Sequence, residues 1–132
     1  MATYSQLVTR LSAEEKIYLL MYPEHASTIK KYADKAFAES KRRFGQSLTN
    51  GRGDAFRHCI WSAMLCREIG FVGALRYTTA HETFEANPPA EKAMDLHNNA
   101  VGLQIGRVSA PDELLIARSL VALRAGQLEV IG

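Results

Sequence analysis

Between Asp54 and Asn99 the chain gathers Asp54, Arg57, His58, His81, Glu82, Glu85, Asp95, His97, Asn98 and Asn99. Three of its four histidines fall in this stretch, mixed with carboxylates and bounded by helix breakers. Helical spacing groups them further. Asp54 and His58 are four apart and share a face, so the carboxylate can orient the imidazole. His81 and Glu85 have the same spacing. Asp95 shares a face with Asn98 and Asn99, and Gly102 continues that face without side-chain bulk. A glycine inside a helix costs roughly 0.5–1 kcal/mol relative to alanine, which is best explained by another helix or a ligand passing close by.

Neutral imidazole and carboxylate suit a divalent metal, zinc being the favoured ion, and a catalytic ion keeps one position for water. Such an ion lowers the pKa of its water and yields a nucleophile near neutral pH. On this scheme His58, His81 and Asp95 are the expected ligands, with Asp54 and His97 standing behind them. Glu82 or Glu85 accepts the proton from water. Arg57 balances charge on an oxyanion or phosphate, and the Asn98 and Asn99 amides stabilise developing negative charge. A metal-free variant makes His58 the general base, held by Asp54 or Asp95. The bland alternative is a buried Asp–His and Arg–carboxylate network that only fixes helix packing. Neither the serine-hydrolase elbow nor His-Glu-x-x-His occurs, because His81-Glu82-Thr83-Phe84-Glu85 ends in glutamate. No glycine-rich phosphate loop is present. Trp61 and Phe56 read as core, and His25 as a solvated or helix-packing residue.

The elements that must position these groups read as about six helices. Ser12-Ala13-Glu14-Glu15 is a capping box, opening a first helix of two to three turns. Pro23 opens a second, which runs to about Phe44 and stops at Gly45. A polar loop leads to Asp54, which starts a third helix ending at Gly70. The fourth runs from about Phe71 to Glu85 and is broken by Asn87-Pro88-Pro89. The fifth covers about Pro89 to Ile105. Ser109 caps the sixth, with Pro111 in its first turn, and Gly126 ends it. Residues 128–131 read as a short extended tail. No alternating strand pattern appears, so the expected fold is all-α: a compact, bundle-like single domain over residues 1–132, with its functional segment at 47–106.

The 132 residues, 47% of them hydrophobic, fit one core, since single domains commonly run to roughly 100–150 residues. Sixteen Lys and Arg against fourteen Asp and Glu leave a net charge of +2. That balance does not point to nucleic acid or an anionic membrane. Lys41-Arg42-Arg43 reads as a helix end favoured by the dipole. Cys59 and Cys66, two turns or about 10 Å apart along one helix, are too distant for a disulfide and read as buried thiols. No secretory signal or transmembrane segment is visible. The expected location is soluble and cytoplasmic, with export lacking a cleavable signal as the alternative.

Gly53-Asp54-Ala55-Phe56-Arg57-His58-Cys59-Ile60-Trp61 resembles the Gly-Asp-Ala-Phe-Arg-His-x-x-Trp signature of an uncharacterised bacterial domain family. The second half of that signature is similar to His81-Glu82, Asn87-Pro88 and Met94-Asp95-Leu96-His97-Asn98-Asn99-Ala100-Val101-Gly102. Two blocks in order, over about residues 47–106, make the likeness more specific than either alone. Cys59 stands where a small residue such as alanine is expected. Members of that family often sit at the ends of secreted, surface or polymorphic-toxin-like proteins, so the resemblance implies an effector with a cognate inhibitor or secretion partner.

A looser likeness is to helical metal-dependent phosphohydrolases that order their ligands His, His-Asp, Asp. Here His81-Glu82 replaces the central pair, with the carboxylate one methylene farther out. Together these readings predict a metal-dependent hydrolase acting on a phosphoester. The rivals are a noncatalytic helical adaptor or effector-associated module, and a metal-free hydrolase.

Overall fold

The computed structural model describes residues 11–45, 51–84 and 86–131. Six α-helices and one 3-10 turn make up the regular structure among them, with no strand. Helix α1 spans Ala13–Met21 and begins with the full capping box: Ser12 Oγ accepts from the Glu15 amide, and Glu15 accepts from the Ser12 amide. Pro23 opens a 3-10 turn, Pro23–His25, rather than the long helix itself, so α2 covers Ala26–Phe44. Gly45 ends α2 at φ +59°, a left-handed backbone that suits glycine.

Helix α3, Arg52–Ile69, begins two residues earlier than Asp54, with Gly51 as its N-cap residue. Asp54 thereby falls inside the first turn, where a carboxylate complements the helix dipole. Helix α4, Phe71–His81, follows after Gly70. It is shorter than the proline break implies, and it does not reach Glu85. The Glu82 amide bonds to Thr79 O, and the Thr83 hydroxyl to Ala80 O, so the chain turns directly after His81. Glu85 itself lies outside the described residues. Helix α5 spans Pro89–Ile105 as the sequence predicts. Helix α6, Asp112–Arg124, starts with Pro111 at its N-cap position and not Ser109. Asp112 at its first position pairs with Lys35 and with Arg67 of α3, a charge contact that fixes this helix start.

Helix α3 is the axle of the domain. It packs against α2, α4, α5 and α6, while α1 lies on α4. From Gly53 to Cys66 every residue of α3 except Arg57 is buried, the pattern of a helix enclosed by neighbours instead of one resting on a core. Phe56, Ile60, Met64 and Leu65 project into that core, with Leu103 of α5 and Leu115 of α6. Gly102 of α5 and Gly106 at its C-cap face the carbonyls of Cys59 and Ala63, so α3 and α5 cross with their backbones in contact. The approach predicted for Gly102 is therefore that of a helix.

Both cysteines are buried free thiols. Burial pushes the Cys59 thiol up to about 11, against the small lowering effect of its Ser119 contact. No helix among the described residues is long and apolar enough to cross a membrane.

Candidate metal centre

The crossing of α3 and α5 sets two pairs of i,i+4 residues face to face. Helix α3 contributes Asp54 and His58, and α5 contributes Asp95 and Asn99. The turn after α4 adds Glu82. His58 stands in the middle. Its Nε2 lies 3.4 Å from Asp54 Oδ1 and 3.4 Å from Asp95 Oδ1. On the other side of the ring, Nδ1 lies 3.3 Å from Asn99 Oδ1 and 3.8 Å from Glu82 Oε2. Asn99 Oδ1 also accepts from the Ser62 hydroxyl at 3.1 Å.

An acceptor oxygen facing Nδ1 favours a proton on that nitrogen. Nε2 then offers a lone pair toward two carboxylate oxygens. Two arrangements suit this geometry: a second ring proton shared with the carboxylates, or a cation that all three groups hold. Asp54, His58 and Asp95 each present a ligand atom, all within 4.8 Å of one another. Imidazole with two carboxylates is a donor set suited to zinc and its neighbours, and Asn99 supplies the outer hydrogen bond that orients a ligating histidine.

The polar bookkeeping calls for a cation or a shared proton. Asp95 Oδ1 and Glu82 Oε2 are buried without a hydrogen-bond donor. Three carboxylates crowd one imidazole, and Arg57 compensates only in part through Nη2, 2.7 Å from Asp54 Oδ1. Burial raises the Asp95 carboxyl to about 7; His58 opposes that rise, whereas the Glu82 and Asp54 charges and a hydrogen bond with Glu82 add to it. A carboxylate held this unfavourably accepts either a proton or a metal ion. The residues present fit a divalent metal.

The expected site residues divide on geometry. His58, Asp95, Asn99, Glu82, Arg57 and Asp54 come together, with Asp54 in the ligand group and not behind it. His81 takes a different partner: its Nδ1 lies 3.2 Å from Glu15 Oε2, so it stands outside the ligand group. Asn98 points away and grips the C-terminal segment, donating to Glu129 O at 2.9 Å and accepting from the Glu129 amide at 2.8 Å. His97 likewise meets Gln127 O at 2.8 Å and lies on the exposed side of α5. Neither orients a ligand.

Sequence reasoning missed Glu15 and Tyr77. Glu15 is 2% exposed, and its carboxylate accepts from the Tyr77 hydroxyl at 2.6 Å. The capping box revealed only its local bond to Ser12.

The family model for a domain of unknown function, DUF6973, matches residues 16–125. The chain belongs to that family. The match takes in both motif blocks and extends beyond them across most of the helical domain, so the DUF6973 unit is wider than the 47–106 segment. No curated protein and no solved structure matches the chain.

Proposed function

We propose that this DUF6973 domain is a metal-dependent hydrolase acting on a phosphoester. The observation that carries the reading is the convergence of Asp54, His58 and Asp95, with ligand atoms within 4.8 Å of one another. The buried, donor-free oxygen of Asp95 supports it. A divalent ion bound there supplies Lewis-acid activation of water and of a phosphoryl oxygen.

The chain's own residues do the rest. Asn99 holds the His58 ring with Nε2 toward the carboxylates. Glu82, anchored by the Asn87 amide at its Oε1 and paired with Asp95, is the carboxylate that would take a proton from water. Arg57 keeps about a third of its side chain in solvent, which lets its guanidinium meet an anionic substrate while neutralising Asp54. A planar multi-donor cation suits phosphoryl oxygens.

The test is hydrolysis of bis(p-nitrophenyl) phosphate by metal-depleted protein reloaded with zinc or manganese. Turnover is expected on reloading, and loss of it in His58→Ala and Asp95→Ala. No turnover with any divalent ion, from protein that binds the ion, would favour a noncatalytic helical module.

An effector or toxin-like role rests on the motif resemblance alone. It predicts growth arrest when the chain is expressed in bacteria, relieved by Asp95→Ala. Absence of arrest from well-expressed active protein would remove that role and leave the hydrolase.

A further inference from the structure

Beside the metal centre lies a second polar cluster, built between α1 and the end of α4. Glu15 is almost wholly enclosed, and three donors meet its carboxylate. The Ser12 amide bonds to Oε1 at 3.0 Å, while the Tyr77 hydroxyl at 2.6 Å and His81 Nδ1 at 3.2 Å meet Oε2. The His81 ring is also held by the indole of Trp61, edge to face at 5.1 Å between centroids. An imidazole gripped through Nδ1 by a buried carboxylate has its other nitrogen left for proton transfer. Unlike Glu15, the His81 side chain is 43% exposed. The ring is therefore reachable, over part of its surface, by a molecule arriving from solvent.

Its neighbours bring it near the centre. Glu82, the next residue, reaches to 3.8 Å from His58. Arg57, whose charge is felt at His81, is bonded to Asp54. We propose that His81, oriented by Glu15, is the proton donor to the leaving-group oxygen in the hydrolysis assigned above, on whose correctness this role depends.

In that step a bond forms between the water oxygen and phosphorus, and the water proton passes to the Glu82 carboxylate. The bond from phosphorus to the leaving oxygen breaks, and that oxygen takes the Nε2 proton of His81. Solvent returns a proton to His81 and removes the one on Glu82. The charged state needed is favoured: burial works against it, yet the hydrogen bond and charge of Glu15 raise the His81 pKa above its ordinary value, Glu82 adding and Arg57 opposing. Glu15 stays ionised for the reciprocal reason. Burial disfavours its charge, but His81, Tyr77 and Ser12 together hold its pKa below the usual carboxylate value.

A purely structural role, pinning α1 to α4, makes a different prediction. Nitrophenolate leaves without a proton, whereas phenolate gains much more from one. With the zinc- or manganese-loaded protein, His81→Gln should lose about 100-fold or more in turnover of diphenyl phosphate, in the range of general-acid effects. On bis(p-nitrophenyl) phosphate it should lose only about threefold, since that leaving group needs little help. Glu15→Gln preserves the capping pattern and should show the same leaving-group dependence in milder form.

Equal losses on both esters from an active parent would overturn the role of His81 and leave the hydrolase standing. A metal-loaded parent inactive on both esters would overturn the hydrolase and this role together. Without any substrate, imidazole nitrogen NMR should find the His81 Nδ1 proton hydrogen-bonded in the parent and altered in Glu15→Gln. A bare Nδ1 in the parent overturns the assignment.

Discussion

Gly102 of α5 lies so close to Cys59 of α3 that a Cβ on it would stand 2.1 Å from the Cys59 carbonyl oxygen. Gly106, one turn on, bears the same relation to Ala63, also at 2.1 Å. The pair permits backbone contact between the two helices and so sets the distance from His58 to Asp95 and Asn99.

Gly102→Ala is predicted to destabilise the domain although alanine is the better helix former. The propensity gain is about 1 kcal/mol. The clash is with backbone that no rotamer change relieves, and overpacking typically costs about 1–3 kcal/mol, occasionally more. The clash wins. Denaturant melts of the metal-free protein should show a lower midpoint, and a midpoint at or above that of the parent would contradict the close crossing.

Asn98 and Asn99 are neighbours with separate duties. Asn98→Ala should leave metal affinity unchanged and remove the hydrogen-exchange protection of the Glu129 amide. Asn99→Ala should keep that protection and weaken metal binding about 10–100-fold, the usual effect of removing a ligand's outer hydrogen bond. Calorimetric titration and amide exchange on both variants check this, and equal effects on metal binding would contradict it.

The raised Asp95 carboxyl gives a pH dependence with a definite sign. A folded value of about 7 against an ordinary 3.8 means that the native state holds this proton more tightly. Its contribution to stability is complete below pH 3.8 and is lost as pH rises through 7. The metal-free parent should therefore lose melting temperature between about pH 4 and 7 relative to Asp95→Asn. Metal binding displaces the proton, so zinc affinity should rise with pH over the same interval. Parallel pH profiles for the parent and Asp95→Asn would contradict the shift.

Much of this was legible in the residues. Caps and breakers such as Ser12 with Glu15, Gly45, Gly70 and Gly106 mark helix ends because they act within a few residues. The i,i+4 pairs Asp54/His58 and Asp95/Asn99 follow from the helical repeat alone. The end of α4 did not follow, because Thr83 and the Glu82 amide capture its last carbonyls before the proline break is reached. The partner of His81 was equally hidden. It depends on Glu15, 66 residues away in sequence, on a helix that looked only locally capped. Which of Asn98 and Asn99 faces α3 is decided by the rotation of α5 at the Gly102 contact, and no local pattern records that rotation.

Calorimetric titration of tag-free, metal-depleted protein with zinc, repeated on folded Asp54→Asn, His58→Ala and Asp95→Asn, tests the centre most directly. The geometry predicts one ion per chain in the parent and at least about 100-fold weaker binding in each variant, since a ligand matters no less than its outer partners. No binding by the parent, or binding unchanged by His58→Ala and Asp95→Asn, would contradict it.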